Sequence, residues 1–481
     1  VSNEVGGFKM KAPASLVAAL LIGGGTLQHG TPPPRPLTPI PTARQLEWQR
    51  KEMALFLHFG VNTFSDAEWG TGTEDPSLFT PARLDAEQWA QVARETGFRT
   101  LILTAKHHDG FALWPSRYTE HSVRSGGWRS GQGDVVRDLV DAARACGLDV
   151  GLYLSPWDRH EPSYGDDAAY NEFYMGQLRE LLTEYGRLAE VWFDGAKGPE
   201  AVDMEYDFDA YWSLVRQLQP GAVIFSDEGP DVRWIGNERG FAGETNWSMI
   251  DRSRVGVGNA ETGYLNVGDP AGPDWVPGEC DVSIRPGWFW HPDQQPKSLE
   301  ELLDIYFKSV GRNCVLLLNV PPNREGLLDA ADVERLYELG AALDAIFGAD
   351  LAAGARASAS NVRGGSGEFD AARALDGDLD TYWATDDSVT SAVLELELAA
   401  PVTFNVVRIQ EPVQLGQRIV AYRFQVESAG DWITVSDGTT VGHKKLHRIA
   451  SLTARRVRLV IDRARAHPLI AELGLHYDPG R

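Results

Sequence analysis

At 481 residues, with 43% hydrophobic and 23% charged side chains, the chain is globular and too long for one core, because single cores stop growing beyond about 250–300 residues. Its net charge of −23 excludes a protein whose affinity rests on neutralising phosphates, so nucleic acid is not an expected partner. No stretch has the length and apolarity to cross a bilayer, so no membrane is expected either.

In chain order, residues 1–44 read as an N-terminal extension. Met10-Lys11 before Leu16-Val17-Ala18-Ala19-Leu20-Leu21-Ile22 fits a secretory leader, although Gly23-Gly24-Gly25 makes a poor cleavage site. An extracellular or periplasmic location is therefore expected, with a cytoplasmic one left open. Pro32, Pro33, Pro34, Pro36, Pro39 and Pro41 then predict an extended lead-in without a core of its own. Cys146, Cys280 and Cys314 are widely spaced with no CxxC; free thiols are expected, not a disulfide framework or a zinc site.

Over residues 45–348, apolar β-like runs alternate with amphipathic helices. The runs are 54–59, 100–105, 150–154, 190–193, 222–225 and 314–320, and continuous apolarity of this kind suits strands covered on both faces. Asp85 followed by Gln88 predicts a capping box, with Gly97 as the stop. Asp134 opens a helix that shows Val135, Val136, Leu139 and Val140 on one face, closed by Gly147. The alternation predicts a (β/α)8-like barrel. A doubly wound open sheet is the alternative, weakened by the absence of a Gly-rich phosphate loop after any strand. Residues 349–481 change to short alternating strands, such as Val393-Leu394-Glu395-Leu396-Glu397-Leu398, and predict an all-β sandwich.

A barrel carries its chemistry at the C-terminal ends of its strands. Those ends hold His58, the run Lys106-His107-His108-Asp109, Tyr153 and Asp194; later loops hold Trp234 through Glu238 and Gly287-Trp288-Phe289-Trp290-His291. Each alone has a plainer explanation: a hydrogen-bonded structural histidine, or an Asp-Gly turn. Together, paired carboxylates, histidines and aromatic walls make a sugar-cleaving site. The fifteen tryptophans are mostly core, but some suit stacking on the C–H face of a sugar. A metal site built on His107, His108 and Asp109 is the rival, disfavoured because neighbouring residues on a strand point to opposite faces.

With His58-Phe59-Gly60, Glu68-Trp69-Gly70, Lys106-His107-His108-Asp109-Gly110-Phe111 and Trp192-Phe193-Asp194-Gly195, the region 45–348 resembles glycoside hydrolase family 29, the α-L-fucosidases. The resemblance implies Asp194 as nucleophile of a retaining mechanism. It implies His58, Glu68, Trp69, His107, His108, Tyr153 and Trp192 as sugar contacts, with fucosylated glycans as substrates and no cofactor for catalysis. Glu238 matches the acid/base of the subfamily that prefers α-1,3 and α-1,4 linkages, and Glu244 is the second choice. The stretches Lys297-Ser298-Leu299 and Ser309-Val310-Gly311-Arg312-Asn313 resemble the same subfamily. Trp290 is a candidate wall for the fucose methyl group. Residues 349–481 resemble the discoidin-like sandwich of coagulation factors and of carbohydrate-binding module family 32, through Ala374-Leu375-Asp376-Gly377-Asp378, Thr381-Tyr382-Trp383-Ala384 and Ala471-Glu472-Leu473. That resemblance implies a structural Ca²⁺ near Asp376, Thr381 and Glu472. Two other classes compete: a non-catalytic protein binding fucosylated glycans on a retained barrel, and a metal-dependent hydrolase. The oligomeric state is not legible in the sequence.

Overall fold

The computed structural model describes residues 31–259 and 261–481; the leader-like segment lies outside the described residues. Eight parallel strands close into a barrel in sequential order: β1 (Met53–Leu57), β2 (Thr100–Lys106), β3 (Asp149–Leu154), β4 (Glu190–Trp192), β5 (Val223–Ser226), β6 (Val232–Trp234), β7 (Gly278–Ser283) and β8 (Val315–Asn319), with β8 paired to β1. Closure rules out the open doubly wound sheet. Two of these strands, β6 and β7, lie outside the six apolar runs of the sequence.

Strand alternation divides each run between two cores. Ala54, Phe56, Ile102, Tyr153, Trp192, Val223, Phe225, Val315 and Leu317 fill the bore. Their neighbours Leu55, Leu57, Leu101, Leu103, Val191, Ile224, Leu316 and Leu318 pack against the helices. Burial on both faces is why the runs are apolar throughout.

The nine helices of the described residues are α1 (Ala43–Gln49), α2 (Val61–Ser65), α3 (Ala86–Glu95), α4 (Val135–Ala145), α5 (Asp167–Glu184), α6 (Phe208–Leu218), α7 (Thr262–Val267), α8 (Leu299–Ser309) and α9 (Ala330–Phe347). α4 starts on Asp134, whose carboxylate accepts from the Arg137 amide, and buries the face read from the sequence. α3 departs in one detail. Asp85 accepts from the Gln88 amide, but the Gln88 side chain does not return to the cap. It donates to the Leu328 carbonyl (3.1 Å) and accepts from the Leu328 amide (2.9 Å), tying α3 to the loop before α9. A tertiary partner outcompetes the local one.

The C-terminal region is a six-stranded antiparallel sheet of β9 (Arg356–Ala359), β10 (Ala392–Gln410), β11 (Ile419–Ser428), β12 (Asp431–Gly438), β13 (Lys445–Ala464) and β14 (Glu472–His476), in the order β9-β10-β13-β11-β12 with β14 on β10. The long β10 and β13 shift register near residues 397–406, so that one sheet can wrap its own core. Residues 35–37 lie along this region: the Leu37 amide donates to the Leu415 carbonyl (2.9 Å) and Arg418 to the Arg35 carbonyl (2.6 Å). The chain then enters α1, whose Trp48 plugs the N-terminal end of the bore.

Candidate active site

A cavity of about 390 Å³ opens at the C-terminal ends of the strands, a size suited to a small ligand. Asp194, Glu238, His58, Glu68, Trp69, His107, His108, Tyr153 and Trp192 all line it. The strand after Lys106 has ended, so both His107 and His108 turn inward, with ring centroids 4.1 Å apart. Asp109 does not join them. Its carboxylate is tied to the Phe111 amide (2.7 Å) and the Asn62 side chain (3.0 Å), and burial pushes its pKa up to about 7. Among the described residues, no group of three or more His, Cys, Asp or Glu side chains is arranged to hold a metal ion.

The histidines are neutral donors and acceptors, not cations. Burial lowers the pKa of His58 to about 3 and of His108 to about 4, and takes that of His107 well below its ordinary value. Their networks assign tautomers. Asn319 donates its amide to the Trp288 carbonyl (2.7 Å), which leaves its oxygen to accept from His58 Nδ1 (2.8 Å). Ser155 donates to the Trp157 carbonyl (2.6 Å), so its oxygen accepts from His108 Nδ1 (2.7 Å). Each ring therefore keeps Nε2 as an acceptor; that of His108 lies 3.7 Å from the Asp194 carboxylate.

The two carboxyls differ in setting. Asp194 accepts from the Tyr153 hydroxyl (2.9 Å) and the Ala196 amide (2.8 Å). Gly195 behind it is needed for room: a Cβ there would stand 2.3 Å from the Asp227 carboxylate and 2.6 Å from the Gly258 amide nitrogen. Glu238 stands at the mouth, open to solvent on one side, with the Trp288 indole donating to it at 3.3 Å. Partial burial, then the charges of Asp194 and Glu68, raise its pKa. Glu68 is clamped from behind by the Trp288 amide (2.8 Å) and by His291 (2.6 Å). Burial works against protonation of His291, but its bonds to Asp66 and Glu68 hold its pKa above the ordinary value.

Two expectations need correction. Trp290 does not line the cavity; its indole donates to Asp329 (3.1 Å) and lies between Arg285 and Arg324. Trp288, two residues earlier, provides the wall. Glu244 is not in the cavity either: it is exposed and paired with Arg312 and Lys445.

The cavity also holds residues that the sequence reading passed over. Asp227 follows β5 and accepts from the Gly258 amide (2.7 Å), and burial raises its pKa to about 6. Asp281 sits on β7, accepts from the Trp234 indole (2.9 Å) and is pushed well above the carboxylate range by burial and by Glu238. Phe56, Trp234 and Trp288 complete an apolar side. In the C-terminal region, the Thr381 hydroxyl donates to the Asp376 carboxylate (2.7 Å), and Glu472 lies 3.5 Å from Arg408. Burial raises the Glu472 pKa to about 7, with Asp350 and Asp376 adding to it.

A closed parallel barrel with two carboxyls in unlike settings among neutral histidines and indoles defines the class, a barrel glycoside hydrolase. Comparison with known proteins narrows this. The family described as alpha-L-fucosidase matches residues 40–346, and the F5/8 type C domain matches 355–473. The chain belongs to the alpha-L-fucosidase family, glycoside hydrolase family 29, and its activity is that of an alpha-L-fucosidase. Alpha-L-fucosidase 1 of Arabidopsis thaliana is 52% identical over 451 residues, covering 93% of this chain and 89% of that protein. The crystal structure of SpGH29 is 46% identical with a TM-score of 0.90, covering 93% of this chain and all of that one (100%). A GH29 fucosidase from Ruminococcus gnavus, solved in complex with fucose, is 38% identical with a TM-score of 0.87, covering 93% of this chain and 96% of that one.

Proposed function

We propose that the chain is a retaining exo-α-L-fucosidase that removes α-1,3- and α-1,4-linked L-fucose from glycans, with Asp194 as nucleophile and Glu238 as acid/base. The observation that carries this reading is the contrast between two carboxyls lining one cavity. Tyr153 and the Ala196 amide donate to Asp194, orienting its carboxylate. Glu238 has a raised pKa, which suits a group that must hold a proton until the leaving oxygen takes it.

Asp194 attacks the anomeric carbon while Glu238 protonates the departing glycosidic oxygen. The C–O bond to the aglycone breaks and an ester to Asp194 forms. Glu238, now ionised, takes a proton from water, which attacks the same carbon and frees Asp194. Neutral His58 and His108 accept hydrogen bonds from sugar hydroxyls through Nε2; His107, Glu68 and Trp69 make further contacts. Phe56, Trp192 and Trp288 offer the apolar surface that the 6-methyl group needs. The fucose bound in the Ruminococcus gnavus relative supports the same sugar here.

Proton NMR of the first-formed sugar tests the mechanism: α-fucose is expected first, and β-fucose would overturn it. Release of fucose from a panel of α-1,2-, α-1,3-, α-1,4- and α-1,6-linked oligosaccharides tests the linkage, with the middle two cleaved fastest. We also keep two secondary proposals. Ca²⁺ binds in the C-terminal region through Asp376, Thr381 and Glu472, supported by the close approach of the Thr381 hydroxyl to the Asp376 carboxylate (2.7 Å); oxygen donors suit this hard cation, and calcium should raise the melting temperature. The protein acts outside the cytoplasm, a reading that rests on residues 10–22 and is checked by fractionation.

A further inference from the structure

The loop that carries Glu238 leaves β6 and runs to a short ribbon in which Met249–Ile250 pairs with Asp274–Trp275. Its first part is held from the barrel side. Asn237 folds the turn by donating to the Phe241 carbonyl (2.9 Å), Asn266 donates to the carbonyls of Ile235 and Phe241, and Arg312 donates to the Ala242 carbonyl (2.7 Å). Among the described residues, the Glu238 side chain is held only by the 3.3 Å bond from Trp288.

The second part of the loop, residues 244–248, is held from the barrel side at Trp247, whose amide donates to the Val267 carbonyl (2.8 Å) and whose carbonyl accepts from Arg233 (2.9 Å), and is completed from another domain. The Asn246 amide donates to the Thr440 hydroxyl (2.9 Å). Gln417, fully buried, donates to the Asn246 carbonyl and accepts from the Ser248 amide, both at 2.9 Å. Its side-chain amide thus stands where the peptide group of a neighbouring strand would stand. Lys445, also buried, donates to the Glu244 carbonyl (2.9 Å). Val413 joins Trp247, Met249 and Trp275 in one apolar cluster across the same junction. Asn246 and Ser248 are buried; Asn313 also donates to the Asn246 carbonyl (3.3 Å), so the Asn246 and Ser248 amides are the groups stranded away from water if Thr440 and Gln417 are lost. An unpaired buried peptide group is costly enough that the backbone would rearrange.

We propose that Gln417, with Thr440 and Lys445, is a positioning residue for the acid/base: the C-terminal domain completes the hydrogen bonding of segment 244–248 and so fixes the loop that aims Glu238 into the cavity. This gives the domain a part in catalysis that does not depend on its binding sugar. The proposal rests on the assignment of Glu238 as acid/base. Misplacing a general acid harms most the substrates whose leaving oxygen needs its proton.

The test uses the full chain carrying Gln417→Met, which keeps the side-chain bulk and removes both bonds, and separately Thr440→Val, a milder change of similar shape. For each, kcat/KM is measured on an oligosaccharide and on a dinitrophenyl fucoside, with Glu238→Ala alongside and folding followed by circular dichroism. The oligosaccharide rate should fall roughly ten- to a hundredfold more than the aryl fucoside rate, with the wild-type fold retained. Gln417→Glu, which keeps the acceptor for Ser248, should recover part of the loss. Equal losses on both substrates, or none in folded Thr440→Val and Gln417→Met, overturn the brace while leaving Glu238 in place. If Glu238→Ala shows no leaving-group dependence, the acid/base assignment and the brace fall together.

Discussion

The bore of the barrel carries acids at both ends, and they do different work. At the open end, Asp194 and Glu238 line the cavity. Lower down the bore, Glu190 on β4, the strand that leads to Asp194, and Glu279 on β7 meet in the sealed interior, both fully buried. Trp48 donates to Glu190 (2.9 Å) and Trp192 donates to Glu279 (2.9 Å). The remaining oxygens, Oε1 of Glu190 and Oε2 of Glu279, have no other partner. Two acceptors facing each other are satisfied only if a proton lies between them. Burial accordingly raises both Glu190 and Glu279 above the ordinary carboxylate range. Carboxyls stand at both ends; in the proposed mechanism, access to water and the partners within reach decide whether the acid reacts or supports. The lower pair supports Trp192, which walls the cavity.

The contrast can be broken from the top down. Removing the reactive carboxylate should have the largest effect: Asp194→Gly should lower kcat by roughly 10⁴–10⁶-fold, with partial rescue by azide on an aryl fucoside, and near-normal turnover would end the assignment. Glu238→Ala comes next. It should cost about 10²–10⁴-fold on oligosaccharides and far less on nitrophenyl fucosides. It should also flatten the alkaline limb of the pH–rate profile, since wild-type activity is lost as pH rises through the raised pKa of this acid.

At the closed end the effects should appear in stability. Glu279→Ala strands the Trp192 indole and opens a cavity, a loss of about 2–4 kcal/mol by chemical denaturation. Glu279→Gln can still accept from Trp192 and can donate to Glu190, so it should cost much less. The two variants sharpen the comparison through pH as well. Glu190 and Glu279 hold protons more tightly folded than unfolded, so their stabilising contribution is complete below the ordinary value near 4.5 and is lost as pH rises through their raised folded values. The wild-type melting temperature should fall across that window, and Glu279→Gln, which supplies a donor to ionised Glu190, should flatten the fall.

The smallest effect separates the two neighbouring indoles. Trp288→Ala removes a cavity wall and the donor to Glu238, and should raise KM about tenfold, a change of ~1.4 kcal/mol. Trp290→Phe loses only the bond to Asp329 and should leave kcat/KM within about twofold, as surface changes do. A reversed ranking would restore Trp290 as the wall.

The sequence by itself determined the strands of the barrel that are apolar on both faces, the helix starts at Asp85 and Asp134, and the strand-end motifs that bring His58, His107, His108, Tyr153 and Asp194 together. These are local matters: period, capping chemistry and the fixed place of a strand's C-terminal end. Tertiary structure alone decided the rest. The strands β6 and β7 escaped the apolar pattern because they carry Arg233, Glu279 and Asp281, all buried. Arg233 is tolerated there by donating to the carbonyls of Leu265 and Trp247, and the acids by indoles and a shared proton. None of those partners is a sequence neighbour. The choice of Trp288 over Trp290 depends in the same way on Asp329, and the pairing of the Asn246 carbonyl and Ser248 amide on Gln417. A buried polar group is permitted only by the group that pairs with it, and chain folding, not local sequence, brings that partner within hydrogen-bond reach.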